Sequence, residues 1–563
     1  MNFTVPEAGN ITADMFRSLY DARPFLTQNA DTLNLHQLSD IFIEPTAHNS
    51  FACQNEIVKG RMGSGKTMYL RANYAHHRPS TLSQDVSILP IYLCLSQLTP
   101  AAGGDTGAKV YQEILIQMVD EMQKEFENLS SVYLYHGFTY DREAFANASA
   151  EVLAQIRGMR NYLNDTGSPD QEYRCVPNFQ AVIDAFDRLS APFRDPHLTL
   201  LILLDEVGSV YSSFFQSGNG DSSLFEILMN QLRTYAHCSY KIGIYPHHQE
   251  DILVGTRYGQ MIDLDVDIIG TDYDAFISKC EQLIHRYVAN ALRKYCSLTT
   301  VHVEMGDIFE LDSASSGSSD NMPYELAFAA SGNFRRLVHV LDRAMSNAQI
   351  RHGGTGRINK HDITTAIKDH AKDLELSYDH DSRTALDNIV ALCRQRKCFL
   401  FDLLKGAVLD RKLLFQNTEY QIITEYTPKT EVSGPVYRLD YAYCLYKDIP
   451  TNIYHLYGQD PHSTQIRTSK PQWITTVIHI PFEYLNRALE QRPLTKGTVD
   501  YIVFNEKKEG YIKTENGQAY HFREDDFVNI HTASKIDVGS LVTFLADKIG
   551  PDYIARSVNL INT

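Results

Sequence analysis

The sequence predicts an α/β domain built on a parallel β-sheet, followed by a helical segment, a region of mixed helix and strand, and a C-terminal region rich in strands. In the first half of the chain, short apolar runs that suit buried strands alternate with helical patterns. From 324 to 374 the pattern is helical only, and about the last 70 residues are dense in short strand-like segments. Strands that alternate with helices favour a parallel sheet that helices cover on both faces.

The elements of the predicted sheet follow one another in a regular order. The strand candidates are 57–58, 88–95, 198–204, 241–245 and 261–266. Helical patterns begin after Lys66, run through 110–122 and recur around 224–235. Clusters of Gly, Ser, Pro and Asp indicate surface loops between these elements, at 100–108, 164–170, 312–323 and 353–356.

Composition excludes several classes of protein. The 563 residues are 43% apolar and 21% charged, which suggests three or four globular domains. No run of 18 or more apolar residues occurs, and residues 1–16 lack the pattern of a secretory signal, so we expect a cytoplasmic protein with no membrane partner. The nine cysteines contain no C-x-x-C pair, which favours reduced thiols over a zinc site. A net charge of −17 excludes a uniformly basic surface, so any contact with nucleic acid must be local.

A glycine-rich segment indicates the chemistry of the α/β domain. Residues 60–67 read Gly-Arg-Met-Gly-Ser-Gly-Lys-Thr, which satisfies the G-x-x-x-x-G-K-[ST] pattern after a strand candidate and before a helix. In this pattern backbone N–H groups turn inward around phosphates, Lys66 reaches the terminal phosphates and Thr67 ligates magnesium. The sequence therefore predicts an ATP and Mg²⁺ site with contacts from Gly60, Gly63, Ser64, Gly65, Lys66 and Thr67. A glycine-rich turn without a ligand is the alternative.

A second pattern lies at the end of the strand candidate 198–204. The apolar run is followed by Asp205 and Glu206. A strand buried on both faces would place Asp205 at the carboxyl edge of the sheet, beside the phosphate loop. We expect Asp205 to hold the magnesium ion together with Thr67, and Glu206 to act as the general base on water. Solvated acids at the end of a strand are the alternative.

With these motifs the sequence resembles the AAA+ ATPases, and more narrowly the origin-recognition and Cdc6-like ATPases, over 35–375. That family carries a lid arginine in a G-[DN]-x-R pattern, which Gly332-Asn-Phe-Arg matches here. The resemblance implies that Arg335, or Arg336 in its place, contacts the γ-phosphate. It also implies an arginine that acts across a subunit interface of a homo-oligomer, for which Arg257 is the candidate. A solvated or salt-bridged lid pair and a plain loop arginine are the alternatives.

The chain departs from the resembled family after the fourth strand. Family members place a small polar residue there, often Asn or Thr, whereas this chain reads Tyr245-Pro-His-His. Tyr245 and His247 are the two candidates to replace it. The departure leaves room for a slow nucleotide switch in place of brisk hydrolysis.

The C-terminal segment resembles the bacterial cold-shock domain, a five-stranded OB barrel that stacks single-stranded bases on aromatic side chains. The resemblance rests on Gly497-Thr-Val, Gly510-Tyr-Ile, an Asn-Gly turn at 516–517 and His521-Phe. It implies that single-stranded DNA or RNA is bound by Tyr511, Tyr520, His521 and Phe522. Two family aromatics are replaced, by Glu509 and Ala519. Residues 496–563 hold eight Lys and Arg against ten Asp and Glu, a net charge of −2. A barrel used for protein docking is the alternative.

The resemblance also places a winged helix after the lid. The segment 387–404 is helical in pattern and carries the basic cluster 394–397, and 437–446 alternates like a wing strand. A solvated helix face is the alternative. The expected domains are an N-terminal extension (1–34), the AAA+ α/β core (35–311), a helical lid (312–378), a winged-helix-like or mixed α/β region (379–492) and a cold-shock-like OB domain (493–563).

Three functions are compatible with these patterns. The first is an ATPase that assembles through Arg257 and acts on nucleic acid through its C-terminal domains. The second is an ATPase switch of bacterial antiphage defence, which would gate a separately encoded effector protein because this chain has no nuclease, protease or deaminase motif. The third is a structural adaptor that binds a nucleotide without turning it over.

Overall fold

The structure is a computed structural model that divides the chain into two compact units, one ending at Ile367 and the other beginning at Lys368. It describes residues 12–27, 30, 33–45, 49–80, 87–97, 106–136, 142–165, 184, 199–207, 223–246, 258–265, 273–296, 303–310, 322–353, 356–403, 409, 411–414, 420–426, 435–451, 476–481, 484–485, 494–505, 507–523, 526–527, 535–549 and 552–561. No helix in these ranges is long and apolar enough to cross a membrane.

The first unit alternates strands with helices and ends in a helical segment. Its strands are β1 (Glu56–Lys59), β2 (Ile88–Cys94), β3 (Thr199–Asp205), β4 (Cys238–Ile244) and β5 (Gln260–Asp263). Its helices are α1 (Ala13–Ala22), α2 (Pro24–Thr27), α3 (Leu35–Ile41), α4 (Lys66–His77), α5 (Thr106–His136), α6 (Arg142–Asp165), α7 (Leu224–Leu232), α8 (Tyr273–Cys296), α9 (Met305–Ile308), α10 (Met322–Ala330) and α11 (Phe334–His352). The helix α12 (Lys360–Leu376) crosses the division between the units.

The strands of the first unit form one parallel sheet in the order β2-β3-β4-β1-β5. The predicted parallel α/β sheet is therefore confirmed. From β1 the chain continues to β2 at one edge of the sheet, whereas from β4 it crosses β1 to reach β5 at the other. In open α/β sheets, ligands bind beyond the carboxyl ends of two adjacent strands when the chain leaves one strand toward one edge of the sheet and the other strand toward the opposite edge. The strands β1 and β4 are such a pair, so the topology places a crevice at their carboxyl ends.

The inner strand β3, which lies between β2 and β4, is buried on both faces. Leu200, Ile202 and Leu204 pack into one apolar cluster, while Leu201 and Leu203 pack into another. Successive side chains of a strand point to opposite faces of the sheet, so a strand between two apolar layers has no polar position. The run of leucines before Asp205 is explained by this burial.

The helix predicted at 110–122 is much longer in the structure. The helix α5 has 31 residues and packs against α6 as a helical pair. Apolar residues continue at helical spacing beyond Met122, at Phe126, Leu129 and Val132, and all three are buried. The sequence pattern therefore supports the longer helix once the partner helix is present.

The second unit contains a mixed sheet in the order β7-β8-β6-β9. Its strands are β6 (Leu400–Leu403), β7 (Ile423–Tyr426), β8 (Val436–Leu439) and β9 (Val477–Ile480), and its helices are α13 (His380–Arg396), α14 (Arg411–Leu414) and α15 (Tyr441–Tyr446). Strand β9 is parallel to β6, and β8 is antiparallel to both β6 and β7.

Two expectations for this region need correction. The segment 387–404 is not helical throughout, because α13 ends where Lys397 adopts a left-handed φ of 52° and β6 follows. The segment 437–446 is strand only as far as Leu439. There the Asp440 side chain accepts a hydrogen bond from the Tyr443 backbone N–H at 3.2 Å and caps α15.

A closed five-stranded barrel occupies the end of the chain, in the order β10-β11-β12-β14-β13. The strands are β10 (Thr495–Asn505), β11 (Lys507–Thr514), β12 (Ala519–Arg523), β13 (Leu541–Ile549) and β14 (Asp552–Leu560). Its interior is filled by a cluster that includes Val499, Ile512, Phe522, Phe544 and Val558. A Cβ on Gly510 would lie 2.0 Å from the backbone oxygen of Tyr501, so only glycine allows β10 and β11 to approach as they do.

Candidate nucleotide site and barrel surface

The glycine-rich loop lies between the carboxyl end of β1 and the start of α4. The Gly60 N–H donates to the backbone oxygen of Ile244 at 3.2 Å, which holds the loop against the end of β4. Gly63 and Gly65 have φ values of 83° and 105°, a left-handed conformation that side chains disfavour. The two glycines therefore allow the tight turn that joins β1 to α4.

Lys66 is buried at the first position of α4. Its Nζ donates to the backbone oxygens of Gly60 at 2.7 Å and Arg61 at 3.0 Å, and lies 4.2 Å from the centre of the Tyr245 ring. Burial lowers the pKa of the amine to about 8, although the nearby Glu206 opposes the shift. The side chain is thus a buried amine that a phosphate would stabilise in its charged form.

Asp205 is fully buried at the end of β3. The Tyr92 hydroxyl donates to its Oδ2 at 2.9 Å, and the Thr67 hydroxyl also hydrogen-bonds to the carboxylate. Burial, and then the neighbouring Glu206, raise the pKa of Asp205, whereas these hydrogen bonds lower it. A buried carboxylate beside a second acid favours a nearby cation, so Asp205 and Thr67 form a donor pair that suits Mg²⁺ when phosphate oxygens and water complete its shell.

No group of three or more His, Cys, Asp or Glu side chains in the described ranges is placed to hold a metal ion by itself. In nucleotide sites Mg²⁺ takes one or two protein ligands and completes its shell with phosphate oxygens and water. Asp205 and Thr67 are oxygen donors of the kind that such a site uses.

Glu206 leaves the sheet directly after β3. Its backbone has a left-handed φ of 55°, and its N–H donates to the Asp205 Oδ1 at 2.9 Å instead of continuing the strand. The Tyr245 hydroxyl donates to the Glu206 Oε2 at 2.7 Å. The backbone turn brings the Glu206 carboxylate into the cavity that Lys66 also lines.

The segment before α11 contacts the glycine-rich loop directly. The Asn333 side chain donates to the backbone oxygen of Met62 at 2.7 Å, and the Arg335 N–H donates to that of Gly63 at 3.2 Å. The side chain of Arg335 lines the same cavity as Lys66. Arg336 is 0% exposed and does not line the cavity, so it cannot replace Arg335 as a phosphate contact without rearrangement.

The cavity has a volume of about 380 Å³, within the usual range for small-molecule sites. The lining includes the charged or titratable residues Lys66, Glu206, Asp263, Lys279, Arg335 and His339. The apolar part of the lining comes from several helices and includes Phe25, Leu26, Ile41, Phe42, Leu283, Tyr287, Phe334 and Val338. A lining with both charged and apolar residues suits a ligand that joins a phosphate group to a flat ring.

Sequence reasoning gave no role to the segment before residue 35, yet Phe25 and Leu26 lie in this cavity. The available signal was the amphipathic α1, which Thr12 caps by accepting from the Met15 N–H at 3.3 Å. A side-chain hydrogen bond from Tyr20 to the Gly356 backbone oxygen at 2.5 Å ties this segment to the region after α11. Only the tertiary contacts connect it to the nucleotide site.

Two predicted site residues, Arg257 and His247, lie outside the described residues. Tyr258, which follows Arg257, is buried, and its backbone oxygen accepts a hydrogen bond from the Tyr240 hydroxyl at 2.7 Å. The chain next to the predicted arginine finger is therefore packed at the end of the sheet.

On the barrel, Tyr511 and His521 are opposite each other in the pairing of β11 with β12. Their rings lie 5.2 Å apart at an angle of 60°, and Tyr511 is 46% exposed. Phe522 needs correction, because it is 0% exposed and belongs to the barrel interior, so it cannot stack on a base. Tyr520 faces the same way as Phe522 and packs against Phe544, with ring centres 5.0 Å apart.

An aromatic residue that sequence reasoning missed completes the exposed row. Tyr501 is 54% exposed and pairs with Tyr511 across β10 and β11. Val499 faces the interior, so strict alternation would also turn Tyr501 inward, but the pairing is interrupted between these two residues by a bulge. The aromatic row, defined as Tyr501, Tyr511 and His521, thus crosses three strands on the outside of the barrel.

Comparison with known proteins finds similarity to solved structures only. No protein-family model matches the chain, and no curated protein matches it. The chain is similar to the solved structure of Drosophila ORC bound to DNA, with 10% identity, coverage of 80% of this chain and 88% of that chain, and a TM-score of 0.27. It is also similar to the Aeropyrum pernix ORC2 protein in its ADPNP–ADP complexes, with 12% identity, coverage of 74% and 91%, and a TM-score of 0.31. A TM-score below 0.5 does not establish a common fold, so the geometry of the site carries the argument for function.

Proposed function

We propose that this chain is an AAA+ ATPase that binds and hydrolyses Mg-ATP. The observation that carries the proposal is the meeting of three separate sequence elements around one cavity: Lys66 of the glycine-rich loop, Glu206 after β3, and Arg335 at the start of α11. A phosphate cradle, a carboxylate and a second cation at one place are what phosphoryl transfer requires.

In the proposed mechanism, the N–H groups of the loop and the Lys66 amine hold the terminal phosphates. Mg²⁺, when bound through Thr67 and Asp205, neutralises part of the phosphate charge. Glu206 accepts a proton from water as the water oxygen bonds to the γ-phosphorus, and the bond to the β–γ bridging oxygen breaks, which yields ADP and phosphate. Arg335 stabilises the charge on the transferred group.

Two substitutions test the proposal. Lys66→Ala should abolish ATP binding because it removes the positively charged amine that contacts the terminal phosphates. Glu206→Gln should preserve binding and lower turnover by about 10²- to 10⁴-fold because a general base is lost. Titration with a fluorescent ATP analogue and a phosphate-release assay measure the two effects. Lys124→Ala, on the exposed face of α5, is the matched control for Lys66→Ala. Equal ATP affinity of Lys66→Ala and the wild type would contradict the proposal.

We further propose that ATP organises copies of this chain into a homo-oligomer, in which Arg257 of one copy reaches the phosphates bound by its neighbour. The support is the resemblance of the segment before β5 to the family's interfacial arginine. The Glu206→Gln variant, saturated with ATP, should give larger particles in light scattering than without nucleotide. Arg257→Ala should lower turnover by several powers of ten without loss of ATP binding. A chain that stays monomeric at micromolar concentration with ATP would contradict this assembly.

The barrel supports a second activity, which we propose is weak binding of single-stranded DNA or RNA by a cold-shock-like domain. The specific observation in its favour is the aromatic row, since exposed rings on adjacent strands can stack successive bases. Binding of a fluorescent poly-dT or poly-U oligonucleotide to the full chain tests it. Failure of every oligonucleotide to bind would leave the barrel as a docking module for protein.

A further inference from the structure

Two consecutive carboxylates at the end of β3 are each held by a tyrosine from a different side. The Tyr92 hydroxyl, from β2, donates to the Asp205 Oδ2 at 2.9 Å. The Tyr245 hydroxyl, directly after β4, donates to the Glu206 Oε2 at 2.7 Å. In the sheet order β2 and β4 flank β3, so the two tyrosines reach the acid pair from its two neighbouring strands.

The backbone differs at the two acids. Asp205 ends a buried strand, whereas Glu206, the next residue, has a left-handed φ of 55°. Each carboxylate accepts its hydrogen bond from a different tyrosine. A left-handed backbone costs a residue with a side chain about 1–2 kcal/mol, so contacts around Glu206 must stabilise the turn. The hydrogen bond from Tyr245 is one such contact.

Tyr245 is one of the two candidates to replace the small polar residue expected after the fourth strand. Its hydroxyl donates to the Glu206 Oε2, and its ring lies 4.2 Å from the Lys66 Nζ. Tyr245 therefore contacts the carboxylate that the proposed function assigns as the general base.

We propose that Tyr92 and Tyr245 are positioning residues that divide the acid pair between two tasks. Tyr92 orients Asp205 to receive Mg²⁺, and Tyr245 orients Glu206 to receive a proton from water. Loss of one hydroxyl then impairs metal use, and loss of the other impairs turnover. This inference rests on the proposed ATPase function.

The test uses Tyr92→Phe and Tyr245→Phe in the full chain, because phenylalanine removes the hydroxyl and keeps the ring. Loss of a group that orients a metal ligand typically costs 10- to 100-fold. For Tyr92→Phe we expect the Mg²⁺ concentration for half-maximal turnover to rise about 10- to 100-fold, with turnover recovering at high Mg²⁺. For Tyr245→Phe we expect kcat to fall by about 10- to 100-fold, with the Kd for ATP and the Mg²⁺ requirement unchanged.

Tyr443→Phe is the matched control. Tyr443 is also fully buried and loses a comparable hydrogen bond, from its hydroxyl to the Glu375 Oε1 at 3.3 Å, but both residues belong to the second unit. It should change neither the Mg²⁺ requirement nor kcat. Thermal unfolding of all three variants establishes that each remains folded.

The outcomes separate failure of this inference from failure of the proposed function. Turnover that Glu206→Gln abolishes but Tyr245→Phe leaves intact would overturn the inference and keep the ATPase. Identical defects in the two tyrosine variants would overturn the division of tasks. A wild-type chain that does not hydrolyse ATP at any Mg²⁺ concentration would overturn both.

Discussion

The cavity beside the glycine-rich loop and the aromatic row of the barrel are built on opposite physical principles. The cavity is concave, and Lys66, which lines it, is buried and held by hydrogen bonds to two backbone oxygens. The aromatic row is open, its two tyrosines are about half exposed, and residues 496–563 around it carry a net charge of −2. In the cavity, a few side chains held by hydrogen bonds depend on one another. On the aromatic row, each ring would contribute its own stacking free energy independently of the others.

This difference determines how a substitution acts. In the cavity a small change disturbs several partners at once, because the glycine-rich loop contacts both the end of β4 and the segment at the start of α11. On the barrel a surface change should remove only its own contact, and a change of the neighbouring inward residue should affect stability alone. The two regions therefore respond differently to the same kind of substitution, which the following experiments measure.

The largest effect is expected from Phe522→Ala, which removes a fully buried ring from the barrel interior. Such a substitution typically costs about 3–5 kcal/mol in the free energy of unfolding. Tyr511→Ala, on the outward face of the adjacent strand, should change it by no more than about 0.5 kcal/mol. Denaturant unfolding followed by far-ultraviolet circular dichroism measures both. Similar stability of the two variants would contradict the assignment of Phe522 to the interior.

A pair of glycines with the same backbone conformation compares the two regions directly. Gly63 in the loop and Gly517 in the barrel both have a φ of 83°, but a Cβ on Gly63 would lie 2.6 Å from the Arg335 Cβ, whereas nothing lies within 4 Å of one on Gly517. We expect Gly517→Ala to cost only the backbone strain, about 1–2 kcal/mol of stability. Gly63→Ala should also lower the ATP affinity by about 10- to 100-fold, because the added Cβ pushes the start of α11 away from the loop.

Isothermal titration with ATP and thermal unfolding separate these effects. A Gly63→Ala chain that binds ATP as tightly as Gly517→Ala would show that contact between the loop and the start of α11 is not required for binding. Substitutions in the cavity and on the barrel surface would then not differ in the way described above.

A smaller effect is expected at the aromatic row. Tyr501→Ala should weaken binding of a single-stranded oligonucleotide by about 1–3 kcal/mol, the contribution of one stacked base. Tyr162→Ala is the matched control, since Tyr162 is a similarly exposed tyrosine on α6. Fluorescence anisotropy of a labelled oligonucleotide measures both. Equal losses of oligonucleotide affinity in the two variants, or no loss in Tyr501→Ala, would show that Tyr501 does not stack on a base.

The smallest expected effect is that of salt. Each neutralised phosphate of a single strand contributes about −0.7 to the slope of log K against log salt. Because Lys and Arg are outnumbered by Asp and Glu in 496–563, we expect a slope of about −1 to −2. The same anisotropy titration at several salt concentrations gives the slope. A slope steeper than about −4 would mean that charge, not stacking, carries the affinity.

The sequence by itself predicted the parallel sheet, and its patterns named three charged residues that line the cavity, Lys66, Glu206 and Arg335. This was possible because a phosphate loop needs glycine at positions with left-handed φ, and a buried strand needs a continuous apolar run. Such requirements are local, so short patterns record them. The left-handed Glu206, the tyrosine partners of the acid pair and the contribution of Phe25 leave no comparable local pattern.

Only the tertiary structure decided which aromatic residues of the barrel face outward. The outward direction of Tyr501 depends on a bulge after Val499, and the inward direction of Phe522 depends on the register between β11 and β12. Strand side chains alternate with a period of two, so a shift of one residue exchanges interior and surface. The residue types determined that a barrel with aromatic side chains could form. The pairing of distant strands determined which of those side chains a base could reach.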